Sequence, residues 1–550
     1  MTPPEKCDSD FRFYRASAVA FILAALAIKV FLVVSGTILS GPGDDSNRIY
    51  QAIRWAFDPS VTFSPRFFTD IWPHGPKILM GLPLMFFRSM GLGEIVDPVK
   101  ACLIETALVY SVCAYLVFLI VSRLVGSRSG FLAVTSLFAM EIQSRMALSG
   151  MAEVYCLLAI LISILCFLNW DGRSMASKWF VVATLASLAS TLFRGDMILF
   201  IGIFGLILLW KKKFLSAIIY WAISYSYFTG KKIYQILSEQ EGISYFNAGS
   251  FYDFGESSLG QRFFDLAGFF YDAFLYSPAL IVYLAGFLGL VLLMFHPKGR
   301  VISLVFILYT APFIVAMLAG RMFLQERMLF FSYVIMAMGA GYTVSRFVGL
   351  LRFNGWRRLS RTAFIVYLLF CVLPFAHSHW EMANRTPPGI SEGLEWLKEN
   401  RKPGEIVHYD FLEFWEHILL VNSVSLTNLP PDYTYSNTPE LRDTYQSKEF
   451  LKENLDNRLD LQVTLRAHRH LLEYRPEYIV LAGPERWKRL EKVKKWHGKH
   501  LRSSYLRPYL HETGKEGVLE FQSDLIVHTP FKIVRVYSNR DVEIYRWIGP

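Results

Sequence analysis

Long apolar runs recur along this chain from Ser17 to about Pro374, and several approach the roughly 20 residues that a bilayer demands of a spanning helix. In lipid, every backbone polar group must find its partner within the chain, so such runs have to be helical and packed into a bundle. Hydrophobic residues make up 53% of the 550, and mean hydropathy is +0.32. The runs fade after Phe375, and the remainder has the composition of a soluble domain. The expected architecture is a polytopic α-helical membrane protein with about eleven transmembrane helices, residues 1–376, followed by a soluble α/β domain, residues 377–550.

The first run, SAVAFILAALAIKVFLVVSGTIL, follows Arg12 and Arg15 and is too long for a signal-peptide core, so it reads as an uncleaved first span. Basic loops mark the cytoplasmic side. Placing SRLVGSRSG, DGRSMASK, WKKK, HPKGR and SRFVGLLRFNGWRRLSR inside is self-consistent if one short apolar stretch, PKILMGLPLMFF, lies on the outer membrane surface instead of crossing. SGMAE, FRGD, the long loop from about Lys231 to Tyr276, GRMFLQER and the whole tail then fall outside. The net charge of +10 belongs to those cytoplasmic loops and gives no argument for nucleic acid. Cys7 precedes the first span, the other five cysteines lie in apolar runs, and the tail has none; CxxC clusters are absent.

The tail alternates helix and strand. GISEGLEWLKENRKPGEIVHYDFL reads as a helix, a Pro-Gly turn and a strand; PEYIVLAGPERW reads as a strand into a loop; FKIVRVYSNRDVEIYRWI reads as a closing hairpin. Neither GxGxxG nor a P-loop is present. The basic stretch Arg486–Arg507, with Trp487 and Trp496 interleaved, suits either a solvated helix or an anionic lipid or glycan surface.

In this topology, ionisable residues collect at the outer ends of the spans. Asp44 and Asp45 follow a Gly-Pro-Gly turn and open a helix-like segment with Ile49, Ile53 and Trp55 on its membrane side. Glu153 follows the third span, and Arg194 with Asp196 joins two spans. Arg321, Glu326 and Arg327 precede a late span, and His74 and Lys77 precede the surface segment. Charges at such depth are costly, which makes them functional candidates; the plainer reading is that they cap helix ends or snorkel. Arginine pairs bidentately with phosphate. A carboxylate beside it could take the proton from an attacking hydroxyl, and a sugar already joined to a lipid phosphate needs no general acid to depart. Asp44 and Glu153 could together hold a hard divalent ion, although spacing alone does not place one.

GDDSNRIYQAIRW, WPHGPKILMGLPLMFF, SGMAEVYCLLAI, FRGD and QERMLFF together resemble the motif series of the GT-C superfamily of membrane glycosyltransferases. Within it the chain is most similar to the bacterial relatives of the protein O-mannosyltransferases and of the aminoarabinose transferases. The family's acidic motif typically begins Asp-Glu; here it is Asp44-Asp45. The resemblance implies a polyprenyl-phosphate sugar donor and transfer on the external face of the plasma membrane to a glycan, lipid or protein acceptor. Asp44 is then the base with Asp45 its neighbour or substitute, and Glu153 the second acid. Arg194, Arg321, Arg327 and Lys77 hold the donor phosphate, with Asp196, Glu326 and His74 in support. A lipid-linked glycan flippase and a non-catalytic envelope assembly protein are the competing readings, the former weakened by the lack of an internal repeat.

Overall fold

The computed structural model describes residues 4–35, 44–57, 59, 74–93, 95–237, 258–275, 277–320, 326–383, 388–402, 405, 407–409, 471–472, 475–485, 487–488, 506–522 and 530–549. They divide into two units. The first takes Met1–Gly41, Asp58–Leu82 and Lys100–Ala383; the second takes Pro42–Phe57, Pro83–Val99 and Asn384–Pro550.

The first unit is helical. Among the described residues, α1 (Pro4–Val34), α4 (Pro98–Val125), α7 (Ala152–Asn169), α14 (Arg300–Leu318), α15 (Phe330–Phe353, with a 3-10 turn Glu326–Leu329 before it) and α16 (Arg357–Ala383) are long and apolar enough to cross a membrane. A seventh crossing is available if α12 (Leu259–Phe270), its π turn Tyr271–Leu275 and α13 (Leu280–Met294) form one span bent by 109°. Shorter apolar helices follow the same pattern: α8 (Lys178–Phe193), α9 (Ile198–Trp210, preceded by the 3-10 turn Gly195–Met197) and α10 (Phe214–Ser224), which leads into α11 (Ser226–Leu237).

The stretch expected as a third span is divided. Helix α5 (Ser127–Ala139) ends where Met140 turns extended, and α6 (Glu141–Met146) begins directly after it. At 1.5 Å per residue, α5 alone rises about 20 Å, and the run continues through α6 to Met146. Every residue from Ser129 to Ala139 is buried, so α5 is a core strut surrounded by other helices. Small residues permit this. A Cβ on Gly341 of α15 would meet the Ala133 backbone nitrogen of α5 at 2.5 Å, and one on Gly289 of α13 would strike the backbone of Gly339 of α15. Backbones that approach this closely gain dispersion contacts on both faces of α15, which is how helices associate where lipid removes the hydrophobic drive. Lys29, inside an apolar run, is fully buried; its Nζ lies 2.9 Å from His379 Nε2 and so ties α1 to α16.

The surface segment forms α3 (Gly75–Ser89), a helix too short to span, with Leu82, Met85 and Phe86 exposed.

In the second unit, a six-stranded sheet runs in the order β1-β2-β6-β5-β4-β3, with β1 (Val407–Tyr409) parallel to β2 (Tyr478–Ala482) and the other pairs antiparallel. The remaining strands are β3 (Leu510–Glu512), β4 (Val518–Phe521), β5 (Phe531–Ser538) and β6 (Val542–Gly549). Helix α17 (Pro388–Asn400) packs through Leu397 on the face carrying Tyr478, Val480 and Ala482; Ile479 and Leu481 point to the other face with Phe521 and Phe531. Both faces are buried there, so YIVLA reads as an unbroken apolar run. The closing hairpin is present, its turn fixed by Asn539 Oδ1, which accepts from the backbone N–H of Asp541 (2.9 Å) and Val542 (2.8 Å).

Much of the basic stretch falls outside the described residues. Its ends are committed to the domain: Arg507 donates to Glu543 (2.5 Å) and to the Ala482 carbonyl (2.8 Å), and its guanidinium lies 5.2 Å from the Trp487 ring centroid.

Helix α2 (Asp44–Phe57) also belongs to this unit. Ile49, Ile53 and Trp55 are buried. Arg88 closes the helix: its Nη1 donates to the carbonyls of Ala56 (3.3 Å) and Phe57 (3.4 Å), and its guanidinium stacks 4.2 Å from the Phe57 ring. A cation on otherwise unpaired C-terminal carbonyls stabilises a helix end.

Candidate active site

Helix α8 ends at Phe193, and Arg194 takes an extended conformation (φ −148°, ψ 132°) before the chain tightens into the turn Gly195–Met197. The kink turns the guanidinium back along its own chain. Nε donates to Asp196 Oδ1 (2.8 Å) and Nη2 to Asp196 Oδ2 (3.0 Å), a bidentate pair, while Nη1 donates to Glu153 Oε1. Glu153 stands in the first turn of α7, where the helix dipole favours an anion. Burial alone would lower the Arg194 pKa, but the carboxylates of Asp196 and Glu153 outweigh it and hold the cation well above its ordinary value. Glu153 Oε2 is buried with no hydrogen-bond partner among the described residues. That oxygen can accept a further donor.

Glu153 and Arg194 line one narrow cleft together with Cys156, Tyr309, Arg327 and Phe330. Lys77 and His74 approach from α3: both are buried, and a Cβ on Gly75 between them would meet Phe193 Cδ1 at 2.5 Å and the Leu192 carbonyl at 2.7 Å, next to Arg194. The structure thus brings Glu153, Arg194, Asp196 and Arg327 together, and packs Gly75, between His74 and Lys77 in the chain, against Phe193. Glu326 goes elsewhere: it accepts from Arg145 Nη2 at 2.5 Å. Asp44 and Asp45 open α2, at the end where the dipole favours carboxylates, but their side chains lie outside the described residues, as does all of Arg321. The metal site expected of Asp44 and Glu153 therefore lies partly outside them too. Among the described residues, no three His, Cys, Asp or Glu side chains are arranged to hold a metal ion.

A second cavity, of about 430 Å³, was not foreseen from the sequence. Glu141, Asp272, Glu326, His377 and Glu381 line it with Tyr283 and Tyr333. Its signal was present: MEIQSRMA places Glu141 and Arg145 one helical turn apart inside an apolar run, and the two are paired at 3.4 Å.

No protein-family model matches the sequence, and no curated protein matches it. Solved structures do match. The match is one of fold: a mostly helical chain with several apolar helices long enough to cross a membrane, and a C-terminal sheet domain. The likeness is to ArnT from Cupriavidus metallidurans, in two structures. Against the apo state the chain is 11% identical with a TM-score of 0.52, covering 96% of this chain and 98% of that one. Against the form bound to undecaprenyl phosphate it is 12% identical with a TM-score of 0.54, covering 96% and 97%. At these identities the likeness is one of fold, along nearly the whole of both chains.

Proposed function

We propose that this protein is a membrane glycosyltransferase that moves a sugar from a polyprenyl-phosphate-linked donor to an acceptor hydroxyl on the extracytoplasmic side of the plasma membrane. The observation that carries the reading is the buried Glu153–Arg194–Asp196 network, set on one cleft with Arg327. The shared fold supports it, since ArnT has been solved with undecaprenyl phosphate bound. The basic-loop pattern supports the sidedness, with residues 377–550 as the external domain.

The reaction is an inverting displacement. The acceptor oxygen attacks the anomeric carbon opposite the phosphate, the C–O bond to phosphate breaks, and its electron pair leaves with the polyprenyl phosphate. Asp44 takes the hydroxyl proton, with Asp45 its neighbour or substitute. Arg327 holds the departing phosphate, joined by Arg321 and Lys77. Arg194 spends three of its five N–H groups on two carboxylates, which holds Glu153 in place with Oε2 left to orient a sugar or acceptor hydroxyl, and its two remaining N–H groups can join Arg327 on the phosphate. Asp196 and His74 support that arrangement.

The test is transfer of radiolabel from a polyprenyl-phosphate sugar by purified protein in detergent, with envelope lipid, glycan and protein fractions as acceptors. A glycosidic product supports the reading. Labelled donor recovered intact with every fraction contradicts it, and donor appearing across a vesicle bilayer without product would identify a flippase.

A further inference from the structure

The turn between α15 and α16 joins two helices that are each long and apolar enough to cross a membrane, so it lies at the level of the lipid headgroups. Its backbone is fixed by hydrogen bonds. Gly355 takes φ +81°, its N–H donates to the Arg352 carbonyl (3.3 Å), and the Trp356 N–H donates to the Leu351 carbonyl (3.0 Å), a glycine cap on a helix C-terminus. Ser360 Oγ then donates to the Val348 carbonyl (3.0 Å) and ties the start of α16 to α15. Arg352 stands in the last turn of α15, and Arg357 and Arg358 in the first turn of α16; all three are exposed. Phe353 and Trp356, between them in the chain, are 89% and 61% exposed. Arg361 follows on α16 and is also exposed.

No Asp or Glu occurs between Glu326 and Glu381, and none of these arginines is in an ion pair among the described residues. Topology alone asks for positive charge at a cytoplasmic turn, and lysine supplies that. Two observations point further. A cation in the first turn of a helix faces the positive end of its dipole, so Arg357 and Arg358 stand where helix stability disfavours them unless an anion joins them. Independently, Phe353 and Trp356 turn their rings outward at headgroup depth, where aromatic side chains pack against lipid. Guanidinium groups at other basic turns are already committed. Arg300 lies 5.0 Å from the ring centroid of Trp210, next to Lys211–Lys213, and Arg128 donates to the Ser345 hydroxyl (3.0 Å) and carbonyl (2.8 Å).

We propose that this turn binds a phospholipid with two phosphate groups on one headgroup, as in diphosphatidylglycerol. Three guanidinium groups within residues 352–358 exceed the single charge of a one-phosphate headgroup, so two phosphates match them better. Arginine pairs bidentately with phosphate, and Arg352, Arg357 and Arg358 meet the pair. The acyl chains run beside Phe347 and Leu350 of α15, each 54% exposed, with Trp356 at their ester end. The basic-loop pattern makes this a lipid of the cytoplasmic leaflet, and the site lies at the opposite end of α15 from Arg327 and the cleft. The inference goes beyond the transferase reading and does not rest on it, because binding is measured without turnover.

The experiment is native mass spectrometry of the full-length protein in detergent micelles, titrated with diphosphatidylglycerol, with phosphatidylglycerol at matched phosphate, and with phosphatidylcholine. Diphosphatidylglycerol is expected to bind about tenfold more tightly than phosphatidylcholine and several-fold more tightly than phosphatidylglycerol. Arg352→Gln with Arg357→Gln should weaken it about tenfold. Lys211→Gln with Lys212→Gln removes the same charge from another exposed basic turn and should leave affinity within about twofold of wild type. Trp356→Ala, which keeps every charge and keeps the test open if the arginine variant does not fold, should weaken binding several-fold. Equal affinity for the three lipids, phosphatidylglycerol binding as tightly as diphosphatidylglycerol, unchanged affinity in the folded arginine and tryptophan variants, or an equal loss in the lysine variant would each overturn the proposal.

Discussion

Glu326 and Arg327 are consecutive in the chain yet line different cavities. Glu326 meets Arg145 at 2.5 Å in the acidic cavity, while Arg327 lines the cleft of Glu153 and Arg194. The 3-10 turn that carries them rotates successive side chains by about a third of a circle, which is enough to send neighbours apart. Arg327→Ala should therefore weaken donor affinity about tenfold to a hundredfold, the worth of a charge-assisted hydrogen bond, with a smaller effect on the rate of the bound complex. Glu326→Gln should leave donor affinity unchanged. Donor binding and single-turnover rates separate the two; equal donor affinity in the Arg327 variant and wild type would remove that residue from the phosphate site.

Removing Arg194 strands Glu153, whose side chain is 2% exposed. Breaking a buried pair from one side costs on the order of 3–5 kcal/mol, because a charge is left without compensation. Arg194→Met should lower the melting temperature in detergent clearly, and Arg194→Met with Glu153→Gln should recover much of the loss. A double variant no more stable than Arg194→Met would show that the network does not act as a unit.

How much of this was legible beforehand follows from what a membrane demands. The helical unit announced itself because apolar runs in lipid have one structural outcome, and Glu153, Arg194 and Asp196 stood out because charge inside such runs is expensive. The short helix α5 did not, since an apolar run closed off by protein looks the same as one facing lipid. Glu141 and Arg145 were legible as a spaced pair but not as a cavity wall: they lie where a span was expected to continue, and the break at Met140 places Glu141 on the cavity. What covers Ile49 and Ile53 was likewise invisible, because hydrophobic periodicity says that a face is covered without saying by what. Lys29 is a further case, since its partner His379 is 350 positions away.

Arg88 fixes the end of α2 opposite its acidic pair. Arg88→Ala should cost about 0.3–1 kcal/mol as a helix-end cation, too little to unfold the protein. Amide hydrogen exchange over residues 52–57 should quicken, and transfer activity should fall while donor affinity stays unchanged. Exchange at the wild-type rate would show that the α2 terminus does not depend on Arg88.

In the sheet unit, burial, reinforced by Glu543, pushes the Tyr545 phenol up to about 12. The unfolded chain gives up that proton near pH 10. The native state keeps it longer, so the stability it contributes is intact below about pH 10 and is lost as pH rises through about 12. Denaturant titrations followed by tryptophan fluorescence should show that decline, and Tyr545→Phe should flatten it. An identical alkaline slope in the variant would assign the loss to other groups.

The most direct measurement of the central claim is sugar transfer from a polyprenyl-phosphate donor by wild type, Asp44→Asn and Asp45→Asn, with donor binding measured on the same preparations. The account predicts that one substitution, that of Asp44 before that of Asp45, lowers turnover by about a hundredfold or more with donor still bound. Turnover within a factor of about two of wild type in both variants would contradict a carboxylate base at the head of α2.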